Sequence, residues 1–161
     1  RLSYCLPRWS VFIGCLATSC QTVGLNSPGG SDLMKTLNSL EAEIVFLQET
    51  HVGPEHYQML ENVENGQRVD FSVYDPRSKG VAILTRQGVP FEYTCHREDY
   101  SGGCLVLFCH LYGELHTLVN VYNHNEDRKV LYRLKDYLKE TAEGVLVVGG
   151  AFNTVLDHDF D

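Results

Sequence analysis

Val145-Leu-Val-Val-Gly-Gly-Ala-Phe-Asn153 is the stretch whose reading decides the fold. Val145 to Val148 form a short apolar run of the kind that makes a fully buried strand. Gly149 and Gly150 follow, where a missing Cβ lets the backbone turn or come close to a ligand. Ala151 and Asn153 are spaced by two, so an extended chain aims both side chains to the same side. Ligands of α/β sheets bind beyond strand ends, and two polar groups aimed there could hold a metal-bound phosphate. Here one of the two is a methyl group.

Outward from this stretch, strand-like and helix-like segments alternate, the pattern of an α/β domain. An amphipathic helix is expected at about 127–140, with Val130, Leu131, Leu134, Tyr137 and Leu138 on one face and Gly144 ending it. Further upstream, strands are expected at 70–74, 79–84, 90–95, 104–111 and 115–122. Val11 to Leu16 read as a first strand, and 44–49 as another. Between those two, Pro28-Gly29-Gly30 signals a turn, and Ser31 suits the N-cap of a helix through about Glu43. Leu33, Met34, Leu37 and Leu40 give that helix its apolar face. Pro54 suits the first turn of another helix, with Tyr57, Leu60 and Val63 inward.

Four more blocks accompany the opening one: Gln21-Thr-Val-Gly-Leu-Asn26, Ile44-Val-Phe-Leu-Gln-Glu-Thr-His51, Lys79-Gly-Val-Ala-Ile-Leu84 and Val119-Asn-Val-Tyr-Asn-His-Asn125. In this order they resemble the motifs of the endonuclease/exonuclease/phosphatase (DNase I-like) superfamily. Their wording is most similar to endonuclease domains of LINE-type retrotransposons. The resemblance implies an α/β fold, a four-layer sandwich of two sheets flanked by helices. It implies hydrolysis of a phosphodiester bond, DNA as partner, and Mg²⁺ or Mn²⁺ as cofactor. Residue by residue, Glu49 matches the metal-binding glutamate and Gln21 replaces the metal-site asparagine. Tyr122 and Asn153 match the tyrosine and asparagine that hold phosphate. Ala151 stands where the family has the aspartate that aligns and helps deprotonate the attacking water. The chain ends before any counterpart of the family's later Asp–His pair, so one partial domain over 1–161 is expected, with 1–20 an irregular or atypical lead-in. A fragment of a longer chain or a decayed retroelement copy is the corresponding expectation.

Each of these residues also has a plain structural reading. Glu49 could be a solvated strand terminus, Gln21 an ordinary loop side chain, and Tyr122 a rim aromatic. His51, His110, His116, His124 and His158 show no metal-ligand spacing. The six cysteines include no Cys-x-x-Cys pair and read as reduced thiols, which argues against zinc.

Composition bounds the functions. The chain has 161 residues, 43% of them hydrophobic, which describes one globular domain rather than a disordered segment. No apolar run reaches the roughly 18–20 residues of a membrane span. Val11 to Ala17 faintly resemble a signal-peptide core but read better as a strand, so the expected location is intracellular, nuclear or cytoplasmic. A net charge of −8, from 13 basic and 21 acidic residues, opposes tight DNA binding, which relies on Lys and Arg. An acidic site can still work where a cation carries the local positive charge.

Two classes therefore stand: a metal-dependent endonuclease or phosphodiesterase impaired by Ala151, and a non-catalytic pseudoenzyme, binding module or retroelement relic. A nucleotide-binding domain using Gly149-Gly150 is a weaker third reading, because no Gly-x-Gly-x-x-Gly or phosphate-loop lysine accompanies the pair.

Overall fold

Apolar strands need a second layer to bury them, and here two sheets supply it to each other. The computed structural model describes residues 13–17, 42–50, 68–72, 80–99, 102–123 and 128–152. Within these the chain forms β1 (Ile13–Ala17), β2 (Ile44–Gln48), β3 (Arg68–Ser72), β4 (Val81–Thr85), β5 (Phe91–Glu98), β6 (Cys104–Leu111), β7 (Glu114–Tyr122), α1 (Arg128–Thr141) and β8 (Val145–Ala151). One sheet runs β1-β2-β4-β3 and the other β5-β6-β7-β8. The β1–β2 and β7–β8 pairs are parallel, and the remaining neighbours are antiparallel.

The core between the sheets follows from the two-residue period of a strand. Ile44 and Phe46 of β2, with Val81 and Ile83 of β4, pack against Leu105, Leu107, Cys109 and Leu111 of β6 and Leu118 of β7. The alternate residues of the second sheet, Val106, Phe108, Val119 and Val121, face outward under α1. That helix lays Leu131, Leu134, Tyr137 and Leu138 on them, four of the five residues its spacing predicts. Val130, the fifth, is exposed. Leu138 is the side chain α1 buries most fully. Leu138→Ala is expected to cost about 2–5 kcal/mol in urea unfolding, the range for a buried leucine. A change within about 0.5 kcal/mol, as at surface positions, would mean that Leu138 carries no packing.

The expected elements and the observed ones agree closely from residue 104 on, where β6 has the predicted bounds. Upstream, β3 starts two residues earlier than expected, at Arg68. Strand β5 continues to Glu98 past a bulge between Tyr93 and Cys95. Its residues are mostly polar and half-exposed or exposed, so pairing with β6 rather than burial defines its length. Residues 42 and 43, at the expected end of the first helix, are not helical. The rest of that helix, the helix after Pro54, Gln21 and Asn153 lie outside the described residues.

The largest correction concerns Gly149-Gly150, which do not turn the chain. Strand β8 runs straight through them to Ala151, paired with β7. The close approach that glycine permits is to the protein itself. A Cβ on Gly149 would sit 2.7 Å from the Phe46 ring of the facing sheet. Gly150 has φ +138°, and a Cβ there would sit 1.9 Å from the Val121 carbonyl oxygen.

Cys95, Cys104 and Cys109 are free thiols. Burial, then the charge of Asp99, pushes the Cys104 thiol up to about 12, so it stays protonated and unreactive. No helix among the described residues is long and apolar enough to cross a membrane.

Candidate active site

The C-terminal ends of β2, β7 and β8 meet at one edge of the sandwich. The β7–β8 register sets Tyr122 beside Ala151. Strand β2 ends at Gln48, and Glu49 leaves it with φ 55°, a left-handed conformation uncommon for a residue with a side chain. Backbone hydrogen bonds then tie this edge together. The Thr50 amide donates to the Gly80 carbonyl at 3.2 Å, and the Gly80 amide to Gly102 at 3.1 Å. The Tyr122 amide donates to Gly103 at 2.7 Å, and the Asn123 amide to Ala151 at 2.9 Å. Four of the five sequence blocks are thereby brought to one place, through a turn at 102–103 that belongs to none of them.

Glu49 and Tyr122 are in direct contact. The Tyr122 hydroxyl donates to the Glu49 carboxylate. Tyr122 is buried, and that burial, with the hydrogen bond and negative charge of Glu49, pushes its phenol up to about 12. The phenol is thus a neutral donor over the whole physiological range. Glu49 itself is half-buried. Ala151 is half-buried too, and its methyl group packs on the core cluster that contains Tyr122. Position 151 is absorbed into apolar packing.

Among the described residues this edge presents oxygen donors, the Glu49 carboxylate and the Tyr122 phenol. Among the described residues no three His, Cys, Asp or Glu side chains cluster as a self-sufficient metal cage. That donor set fits Mg²⁺ or Mn²⁺, hard cations often held by one or two carboxylates while keeping water and phosphate oxygens. Glu49 is the residue that would hold such a cation here.

Beneath the pair lie two buried amides that the motif reading did not single out. Gln48 and Asn120 are both 0% exposed. The Gln48 Nε2 donates to Asn120 Oδ1 at 2.6 Å, across the two sheets. A signal for them exists in the sequence: each is a polar residue at an inward position of an otherwise apolar strand, in Phe-Leu-Gln and Leu-Val-Asn-Val. The 102–103 turn was announced only by Ser101-Gly-Gly before an apolar run.

The two-sheet sandwich and this edge give the chain's relationships their structural meaning. The chain belongs to the Endonuclease/Exonuclease/phosphatase family, whose model matches residues 23–160. Gln21 lies two residues outside that match. The structure is similar to a D. rerio TDP2 humanized by 14 mutations, with TM-score 0.64 and 18% identity over 89% of this chain and 62% of that one. It is similar to D. rerio TDP2 complexed with a single-strand DNA product, with TM-score 0.63 and 16% identity over 89% and 60%. It is also similar to an AP endonuclease from Archaeoglobus fulgidus, with TM-score 0.59 and 20% identity over 88% and 56%. The chain thus spans about three fifths of the length of these structures. No curated protein sequence matches it.

Proposed function

We propose that this chain descends from a metal-dependent phosphodiester hydrolase of the endonuclease type and keeps its cation- and phosphate-holding half, with hydrolysis impaired at Ala151. The observation that carries this reading is the contact between Glu49 and Tyr122 at the strand edge where Ala151 also lies. In it, Glu49 holds Mg²⁺ or Mn²⁺, and Gln21 is a weaker candidate for a second oxygen ligand. The cation, when bound, draws charge off a phosphate oxygen. Tyr122, kept protonated, turns its single hydrogen from Glu49 to the phosphate when one binds, and Asn153 adds a second hydrogen bond. Position 151 has no group to orient or deprotonate water.

DNA is the proposed substrate class, supported by family membership and by the TDP2 structure that carries a single-strand DNA product. With a net charge of −8, affinity for DNA is weak and rests on the cation more than on basic side chains. The wording of the Gly-Leu-Asn-Ser-Pro and Leu-Gln-Glu-Thr-His blocks supports a LINE-type retroelement origin. A second reading, a non-catalytic binding module or retroelement relic, is favoured by the packing of the Ala151 methyl group onto the core.

Calorimetric titration with Mn²⁺ tests the cation role. Glu49→Ala should weaken binding by more than the roughly 10–100-fold typical of groups that merely support a ligand. Equal binding by the parent and the variant would remove Glu49 from the site.

A further inference from the structure

We propose that the buried Gln48–Asn120 amide pair is a positioning bracket that sets Glu49 against Tyr122, and that this, rather than added stability, is its role. The inference rests on the reading of Glu49 and Tyr122 as the functional pair.

Asn120 sits in β7 on the face turned to the other sheet, between Leu118 and Tyr122. Both hydrogens of its Nδ2 are used on that sheet. One bonds the Leu47 carbonyl of β2 at 2.9 Å, the other the Ala82 carbonyl of β4 at 2.8 Å. Leu47 and Ala82 are Cα partners, so the single amide grips two adjacent strands at one rung. Its Oδ1 accepts from Gln48, which completes the grip on β2.

Leucine-sized side chains in both places would remove the two amides together, and such replacements of matched buried partners can be neutral or stabilising, although the Leu47 and Ala82 carbonyls would each lose a donor. Apolar contacts are also non-directional. Two sheets held by them alone can slide a little against each other at small cost. The amide fixes that offset, because its three bonds are directional and any slide leaves a buried donor or acceptor unmet. Glu49 follows Gln48 directly, and Tyr122 is two residues on from Asn120, on the same face of the strand. The offset between the sheets is therefore the offset between the carboxylate and the phenol. Displacements of about 1 Å at such a site can cost about 10²-fold in rate.

The test is a cycle on a spectroscopic signal at neutral pH. In protein labelled with ¹³C at the tyrosine ring, the Tyr122 Cζ resonance is assigned by its loss in Tyr122→Phe. In the parent, Glu49→Gln should move this resonance, because it changes the acceptor of the phenol hydrogen bond. In an Asn120→Leu background that displacement should vanish, while in a Leu138→Ala background, weakened on the opposite face, it should persist. Mn²⁺ affinity should fall by about 10-fold or more in Asn120→Leu and hold in Leu138→Ala. If Asn120→Leu does not fold, Gln48→Met removes one arm of the bracket at nearly constant volume and should shrink the same displacement. A displacement equal in parent and bracket variants overturns the proposal and leaves the site reading intact. A parent resonance indifferent to Glu49→Gln overturns the site reading itself.

Discussion

Ala151→Asp, in a chain extended to the length of its structural relatives, is expected to turn on Mg²⁺-dependent nicking of supercoiled plasmid, by about 10²–10⁴-fold over the equally extended Ala151 chain, the contribution of a well-placed acid or base. The geometry explains why one atom group is enough to matter. Residue 151 is the Cα partner of Tyr122, and Tyr122 already holds Glu49, so a carboxylate at 151 enters beside both. Without a cation this should be unfavourable. Two carboxylates sharing a half-buried edge resist joint ionisation, and one of them is driven to bind a proton. The variant should therefore melt lower than the parent in metal-free buffer. With Mg²⁺ the order should narrow or reverse, because a ligand at about 100 times its Kd adds about 2.7 kcal/mol to the folded state. The melting shift caused by Mg²⁺ is thus a second readout, larger in Ala151→Asp than in the parent. Vigorous Mg²⁺-dependent nicking by the Ala151 chain would show that position 151 does not limit the chemistry.

How much of this was legible in the sequence depends on what each residue's environment requires. The strands of the second half were written in apolar runs: β6 and β7 alternate between an inter-sheet face and a face under α1, and both faces are apolar enough to mark the strands. Glu49 and Tyr122 were singled out by motif resemblance, and the structure brings the two side chains into contact. Strand β5 was harder, since Glu92, Tyr93, Thr94 and Arg97 are exposed and its length is set by backbone pairing that no hydropathy pattern records. Gln48 and Asn120 were missed because a polar residue in a strand carries no label for its partner; theirs lies 72 residues away in the other sheet. Gly149-Gly150 were misread for a related reason. A glycine pair looks the same in sequence whether it approaches a ligand, a turn or its own core, and here Phe46 and Val121 decide the matter.

That last distinction carries the largest expected effect on stability. Gly150→Ala should cost about 4 kcal/mol or more in urea unfolding, at the exceptional end of single substitutions and a large share of the 5–15 kcal/mol typical of a domain. The added Cβ meets the backbone of Val121: its oxygen at 1.9 Å, with its carbonyl carbon and its nitrogen at 2.8 Å. The φ of +138° is itself closed to residues with a side chain. Nothing there can rotate away, so β8 must leave its register with β7. Gly149→Ala should be milder, because its obstacle is the Phe46 ring at 2.7 Å, a side chain. The two glycines can therefore be separated by one further substitution. Phe46→Leu should show a favourable coupling of about 0.5–3 kcal/mol with Gly149→Ala, as expected for residues in contact, and none with Gly150→Ala. Coupling of Phe46→Leu to both would mean that β8 yields as a unit rather than at each glycine. The consequence for function follows from the ladder, because Gly150 pairs with Val121 one rung before Ala151 pairs with Tyr122. Placed on the Ala151→Asp chain, Gly150→Ala should abolish nicking even where the protein still folds, since the introduced carboxylate would no longer arrive beside Tyr122 and Glu49.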